Sequence, residues 1–87
     1  MKKKYKCPCC EYFTLDENPP GTYDICPVCF WEDDPVQFRD HDYLGGANMI
    51  SLNQAKANFK QISAIDKEFL NCTRKPFKSE NINSIGD

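Results

Sequence analysis

Six cysteines in 87 residues carry most of the chemistry this chain can offer, and four of them fall into two matching pairs. The stretches are Cys7-Pro8-Cys9-Cys10 and Cys26-Pro27-Val28-Cys29, with two residues inside each pair and fifteen between the pairs. A tight Cys-x-x-Cys turn aims two sulfurs at one point, and two such turns complete a tetrahedron of thiolates around one ion. Pro8 and Pro27 each fix a φ angle and remove an amide hydrogen, which lowers the entropy of the unbound turn. Cys7, Cys10, Cys26 and Cys29 are therefore the expected metal ligands. Zinc is the expected ion, and iron can occupy the same four sulfurs. Four protein ligands leave no open coordination position, so such a site is structural, and its binding energy of about 10–16 kcal/mol becomes folding energy.

The remaining reactive side chains each have two readings. Cys9 aligns with Val28, between ligands, and reads either as a small apolar residue near the turn or as a thiol open to oxidation or alkylation. Cys72 lies beside Phe69 and Leu70 and is expected to be buried or idle. His41, the one histidine, stands between two aspartates that could orient it as a base; a solvated loop residue is the alternative. Glu32, Asp33 and Asp34 read as a solvated acidic loop, a hard-cation site or a surface for a basic partner. Trp31 directly follows the second cysteine pair and would be a lid over the metal site, or a partner-binding anchor if exposed.

Around these residues the chain is punctuated simply. The two Cys-Pro-x-Cys segments form an internal repeat offset by 19 positions. Strand-like runs precede them, KKYK and TYDI, and aromatic pairs follow, Tyr12-Phe13 and Phe30-Trp31, which suits short strands flanking two hairpin-like turns. DENPPGTY between the copies reads as a loop, and the polar segment EDDPVQFRDHDYLGGANMI as a loop covering something. From Ser51 the period changes. Leu52, Ala55, Phe59 and Ile62 share one face of an α-helix, with Ser51 and Gln54 as a capping box. A further turn at DKEFLNC is expected to pack Phe69 and Leu70 on the core. The domain then spans 1–72, and 73–87 forms a polar, mobile tail.

Size and charge exclude several functions. A chain this short buries a limited fraction of its surface and benefits from a staple. Its basic N-terminus is followed by no apolar run of about 7–15 residues, so no secretory signal is read and the chain is expected in the cytosol. There, paired cysteines point to metal or redox chemistry rather than structural disulfides. No apolar run approaches the roughly 18 residues of a membrane span. The net charge of −2, with Glu32, Asp33, Asp34, Asp40 and Asp42 clustered, argues against a general nucleic-acid binder. The lysines at 2, 3, 4 and 6, with Tyr5, keep nucleic-acid binding as an alternative.

CPCC near the start, CPVCFWEDD nineteen positions on and GGANMISLNQAKANFKQI opening the helix resemble the cysteine-rich CPCC family of small bacterial proteins, from about Tyr5 to Phe69. The resemblance implies zinc binding and brings no reaction with it. It covers Cys7, Cys9, Cys10, Cys26 and Cys29, then Trp31, Asp33, Asp34, Gly45, Gly46, Asn48, Ser51, Ala55, Asn58 and Phe59. His41, Cys72 and the tail fall outside the motifs. Gly45 and Gly46 would permit positive φ and close backbone approach, and Asn58 would tie the acidic loop to the helix.

The expected fold is a small, metal-stabilised α+β domain: zinc-ribbon or rubredoxin-like knuckles, short antiparallel strands and one C-terminal α-helix. The expected function is a non-enzymatic, zinc-binding cytosolic module that binds a protein, in one form an immunity or regulatory protein acting through its acidic face. The alternatives are a nucleic-acid-binding zinc ribbon and a thiol-based redox protein or enzyme using Cys9.

Overall fold

The computed structural model describes residues 3–81. Two short strands, β1 (Tyr5–Lys6) and β2 (Phe13–Leu15), pair antiparallel with Tyr5 opposite Leu15 and Lys6 opposite Phe13, and the first cysteine turn is the connection between them. The second turn is framed more lightly, by a single antiparallel bridge between Ile25 and Glu32. Tyr23 N–H donates to the Asp33 carbonyl and Asp33 N–H to that of Asp24, which extends this arm without a regular strand.

The two turns share one hydrogen-bond plan. Cys7 N–H donates to the Tyr12 carbonyl and Glu11 N–H to that of Cys7; nineteen residues on, Cys26 N–H donates to Trp31 and Phe30 N–H to Cys26. Both turns close through a residue in the left-handed region, Glu11 at φ 68° and Phe30 at φ 76°, a conformation that costs a non-glycine residue about 1–2 kcal/mol. The sequence repeat is thus a repeat of backbone geometry.

The segment expected to be wholly loop contains a short helix, α1 (Pro35–Arg39). Asp34 caps it, accepting from the amides of Val36 and Gln37, and Pro35 occupies the first helical position, where no amide partner is needed. The Asp-Pro pair is a helix-start signal, and five residues are too few to show a helical period.

The main helix, α2 (Leu52–Ile62), starts where the periodicity places it, and the Ser51 side chain accepts from Gln54 N–H. The reciprocal half of the capping box is absent: the Gln54 amide donates to Asn58 Oδ1 instead. Leu52 and Ala55 are buried and Phe59 packs on the core, whereas Ile62 is 37% exposed because Ser63 turns left-handed and sends Ala64 and Ile65 inward in its place. Asn58 donates to the Ile65 carbonyl, so it fastens this turn and not the acidic loop.

After α2 a 3₁₀ helix covers Lys67–Cys72; Phe69 packs against the core while Leu70 is 45% exposed and Cys72 is exposed. Residues 73–81, assigned to the tail by composition, lie against the domain: Arg74 N–H donates to the Pro27 carbonyl, and a second 3₁₀ turn, Lys78–Glu80, contacts β2. Residues 82–87 lie outside the described residues. Among the described residues no helix is long and apolar enough to cross a membrane.

Candidate metal centre

The repeat brings Cys7, Cys10, Cys26 and Cys29 together, with ligand atoms all within 4.8 Å of one another. Cys7 Sγ lies 3.7 Å from Cys29 Sγ and Cys10 Sγ 3.7 Å from Cys26 Sγ. A tetrahedron with metal–sulfur bonds of about 2.3 Å has sulfur–sulfur edges of about 3.8 Å, so these separations fit one ion held by four thiolates. They are far too long for disulfides, whose S–S bond is about 2.05 Å.

The protein prepares this cluster for negative charge. The Thr14 hydroxyl lies 2.9 Å from Cys26 Sγ and donates to it when Cys26 is a thiolate; Trp31 N–H donates to Cys29 Sγ across 3.4 Å. Without an ion, the thiols share protons unequally. Hydrogen bonding to Cys26 raises the Cys10 thiol well above the ordinary range, and burial does the same for Cys29. Cys26, accepting from Cys10, Cys29 and Cys7 and helped by Thr14, is pushed far down. Thiolates this close together repel one another, so a cation favours their ionisation, and binding one releases protons.

Three of the four cysteines, Cys7, Cys26 and Cys29, are completely buried, and Cys10 is partly exposed. Cys9 is 5% exposed and belongs to the core, in the slot that Val28, 1% exposed, fills in the second turn.

The rest of the chain closes over both turns. Tyr12 meets Phe59 of α2 edge to face at 6.4 Å, and Phe30 stacks on Phe69 at 4.7 Å. Ile65 N–H donates to the Cys29 carbonyl. Trp31 is 1% exposed and belongs to the core, so it offers no anchor to a partner; its indole N–H is buried without an acceptor among the described residues.

The acidic loop is not an acidic surface. Asp33 is fully buried, with Oδ2 accepting from the amide and hydroxyl of Thr22. Asp34 is buried as well: burial alone would push its carboxyl up, but the amides of Ala47, Gln37 and Val36 more than offset this and hold it below the usual carboxylate range. Glu32 is half-buried, and its backbone pairs with the side chain of Asn48, whose Oδ1 accepts from Glu32 N–H at 2.9 Å while Nδ2 donates to the Glu32 carbonyl at 2.8 Å. Glu32, Asp33 and Asp34 therefore hold the fold, and a basic partner cannot reach the two aspartates.

Gln37, which the sequence did not single out, is the hub beneath this loop. It is completely buried; Nε2 donates to the carbonyls of Tyr43 and Ile50, and Oε1 accepts from Asn48. A Cβ on Gly46 would stand 2.6 Å from Gln37 Cδ, so close approach is what demands glycine there; Gly45 and Gly46 do not take positive φ. Nothing in a lone glutamine on a five-residue helix marks it as buried.

His41 packs edge-on to Phe38 at 6.4 Å. Its flanking carboxylates face elsewhere, Asp40 accepting from Asp42 N–H and Asp42 from the Asn53 side chain, so neither orients the imidazole through these bonds. At the N-terminus, Lys3 lies over the Tyr5 ring, Lys4 pairs with Asp16 and Lys6 stands 4.0 Å from Glu11. Lys2 lies outside the described residues.

No curated protein matches the chain. The family model described as cysteine-rich CPCC matches residues 5–80, which takes in both cysteine turns, the buried loop, α2 and the Arg74–Glu80 segment. The chain belongs to the cysteine-rich CPCC family.

Proposed function

We propose that the protein is a zinc-ribbon-like module in which one zinc ion, held by Cys7, Cys10, Cys26 and Cys29, staples the fold, and that its task in the cytosol is to bind another protein rather than to catalyse a reaction. The observation that carries this reading is the four-sulfur cluster, with its edges of 3.7 Å and its hydroxyl and amide donors. A complete set of four protein ligands leaves no position for substrate.

Binding of nucleic acid is the weaker reading because Lys3, Lys4 and Lys6 are each engaged within the domain. Elemental analysis of purified protein tests the metal: about one zinc per chain is expected. One iron per chain, visible as a charge-transfer colour, would replace zinc while keeping the site. No metal, with the protein still folded in a strong chelator, would remove the architecture. Unchanged circular dichroism on chelation would be equally damaging, since the staple supplies folding energy.

A further inference from the structure

Two hollows on one side of α2 join into a single trough. The first, of about 580 Å³, is lined by Cys10, Tyr12, Lys56, Phe59 and Lys60 among others; the second, of about 500 Å³, shares Tyr12, Phe59 and Lys60 and continues past Ile62 and Leu70 to Lys75. It differs from the rest of this net-negative chain in charge. Lys56, Lys60 and Lys75 have no ionic partner among the described residues, whereas Arg74 is held by a two-pronged pair with buried Glu80. Among the described residues the one lining carboxylate is Glu11, which stands against Lys6. The trough is also lined by apolar groups: Ile62 is 37% and Leu70 45% exposed, with the half-buried Phe59.

We infer that this trough docks an acidic segment of a partner protein whose aliphatic or aromatic side chains seat on Phe59, Ile62 and Leu70 while its carboxylates meet Lys56, Lys60 and Lys75. The inference rests on the protein-binding reading above and names its surface. Charge complementarity selects the occupant: three ammonium groups without an ionic partner among the described residues, set around apolar side chains, match acidic and apolar residues interleaved in one segment. A polynucleotide fits worse. The exposed apolar groups are aliphatic and offer no stacking face, the Tyr12 and Phe59 rings are turned edge to face against each other, and the net charge of −2 repels a long polyanion. A separate hollow, lined by Ile25, Met49 and Phe69 among others, has Glu32 and no lysine or arginine among its described lining residues.

The test uses the full-length, zinc-loaded protein and a fluorescein-labelled twelve-residue probe peptide with Asp and Glu interleaved with Leu and Phe, beside a control peptide with Lys in place of every acid. Fluorescence anisotropy at low salt should show binding of the acidic peptide at about 10–100 μM, and none of the basic one. K60E/K75E and, separately, L70D should each weaken binding at least about tenfold, while R39E, on α1 and away from the trough, should stay within about twofold. Folding of each variant is checked by its zinc content.

Absence of peptide binding by the folded holoprotein overturns the inference, as does equal binding by K60E/K75E. Tighter binding of a single-stranded polynucleotide than of the peptide at the same salt would assign the trough to nucleic acid. A concentration-dependent dimer abolished by K60E/K75E would assign it to a second copy of the chain. Photo-crosslinking in cells separates this inference from the broader reading: protein capture from position 25 or 49 but not from 60 defeats the trough and leaves the binding module standing, whereas capture from none defeats both.

Discussion

Replacing Asn48 with alanine should unfasten the loop that lies over the second cysteine turn. Asn48 is 5% exposed, and its amide group bonds both Glu32 N–H and the Glu32 carbonyl, as a neighbouring strand would, while Nδ2 also donates to Gln37 Oε1 at 2.9 Å. The substitution deletes three hydrogen bonds at about 0.5–1.5 kcal/mol each. Water can reach the half-buried Glu32 backbone and recover part of that loss, and Gln37 Oε1 keeps the Asn48 backbone N–H. The expected cost is therefore about 1–3 kcal/mol, a sizeable share of the 5–15 kcal/mol typical of a folded domain. Urea unfolding at a fixed free zinc concentration measures it without letting metal affinity masquerade as loop stability. N48D keeps the acceptor for Glu32 N–H but turns an oxygen toward the Glu32 carbonyl and Gln37 Oε1, and should cost at least as much. A loss below about 0.5 kcal/mol for N48A, or an N48D protein as stable as the parent, would refute the strand-mimic role of this side chain.

Three further outcomes follow from the same geometry. T14V, which keeps the shape and removes the hydroxyl beside Cys26, should lower zinc affinity about 10-fold or more in competition with a chromophoric chelator, as loss of a hydrogen bond to a metal ligand does. S51A removes the acceptor for Gln54 N–H at the start of α2 and should cost about 1 kcal/mol in urea unfolding. Glu80 is held below the usual glutamate range first by Arg74 and also by Phe77 N–H, against its burial; a carboxylate depressed in the folded state stabilises above its unfolded pKa and stops doing so as pH falls through its folded one. The stability gap between the parent and E80Q, measured by urea unfolding, should therefore be full at pH 7 and shrink below the ordinary glutamate range; a gap that grows on acidification would reverse the sign.

The amino-acid sequence by itself determined what is local. Two Cys-Pro-x-Cys turns at matching spacing need only their own short segments to aim sulfurs at a common point, and α2 announces itself because Leu52, Ala55 and Phe59 recur at helical spacing behind a serine cap. Cys9 could be removed from the tetrahedron because its counterpart in the repeat is Val28. What only the tertiary structure decided is where polar groups find partners far along the chain. Asp33 and Asp34 look like a charged surface, since nothing near them in sequence reveals that Thr22 and Ala47 supply the amides that let them be buried. Gln37 and Asn48 hold the loop through bonds that span eleven to sixteen positions, and Arg74 joins the domain through Pro27 and Glu80 despite a composition that reads as tail. The basic trough has the same origin: Lys56 and Lys60 stand on α2 and Lys75 on the segment after the first 3₁₀ helix, and they share a surface because the chain turns at Ser63 and comes back beside α2. Apolar periodicity is written in neighbouring residues, but buried polar partnerships and surface charge patterns are set by the fold.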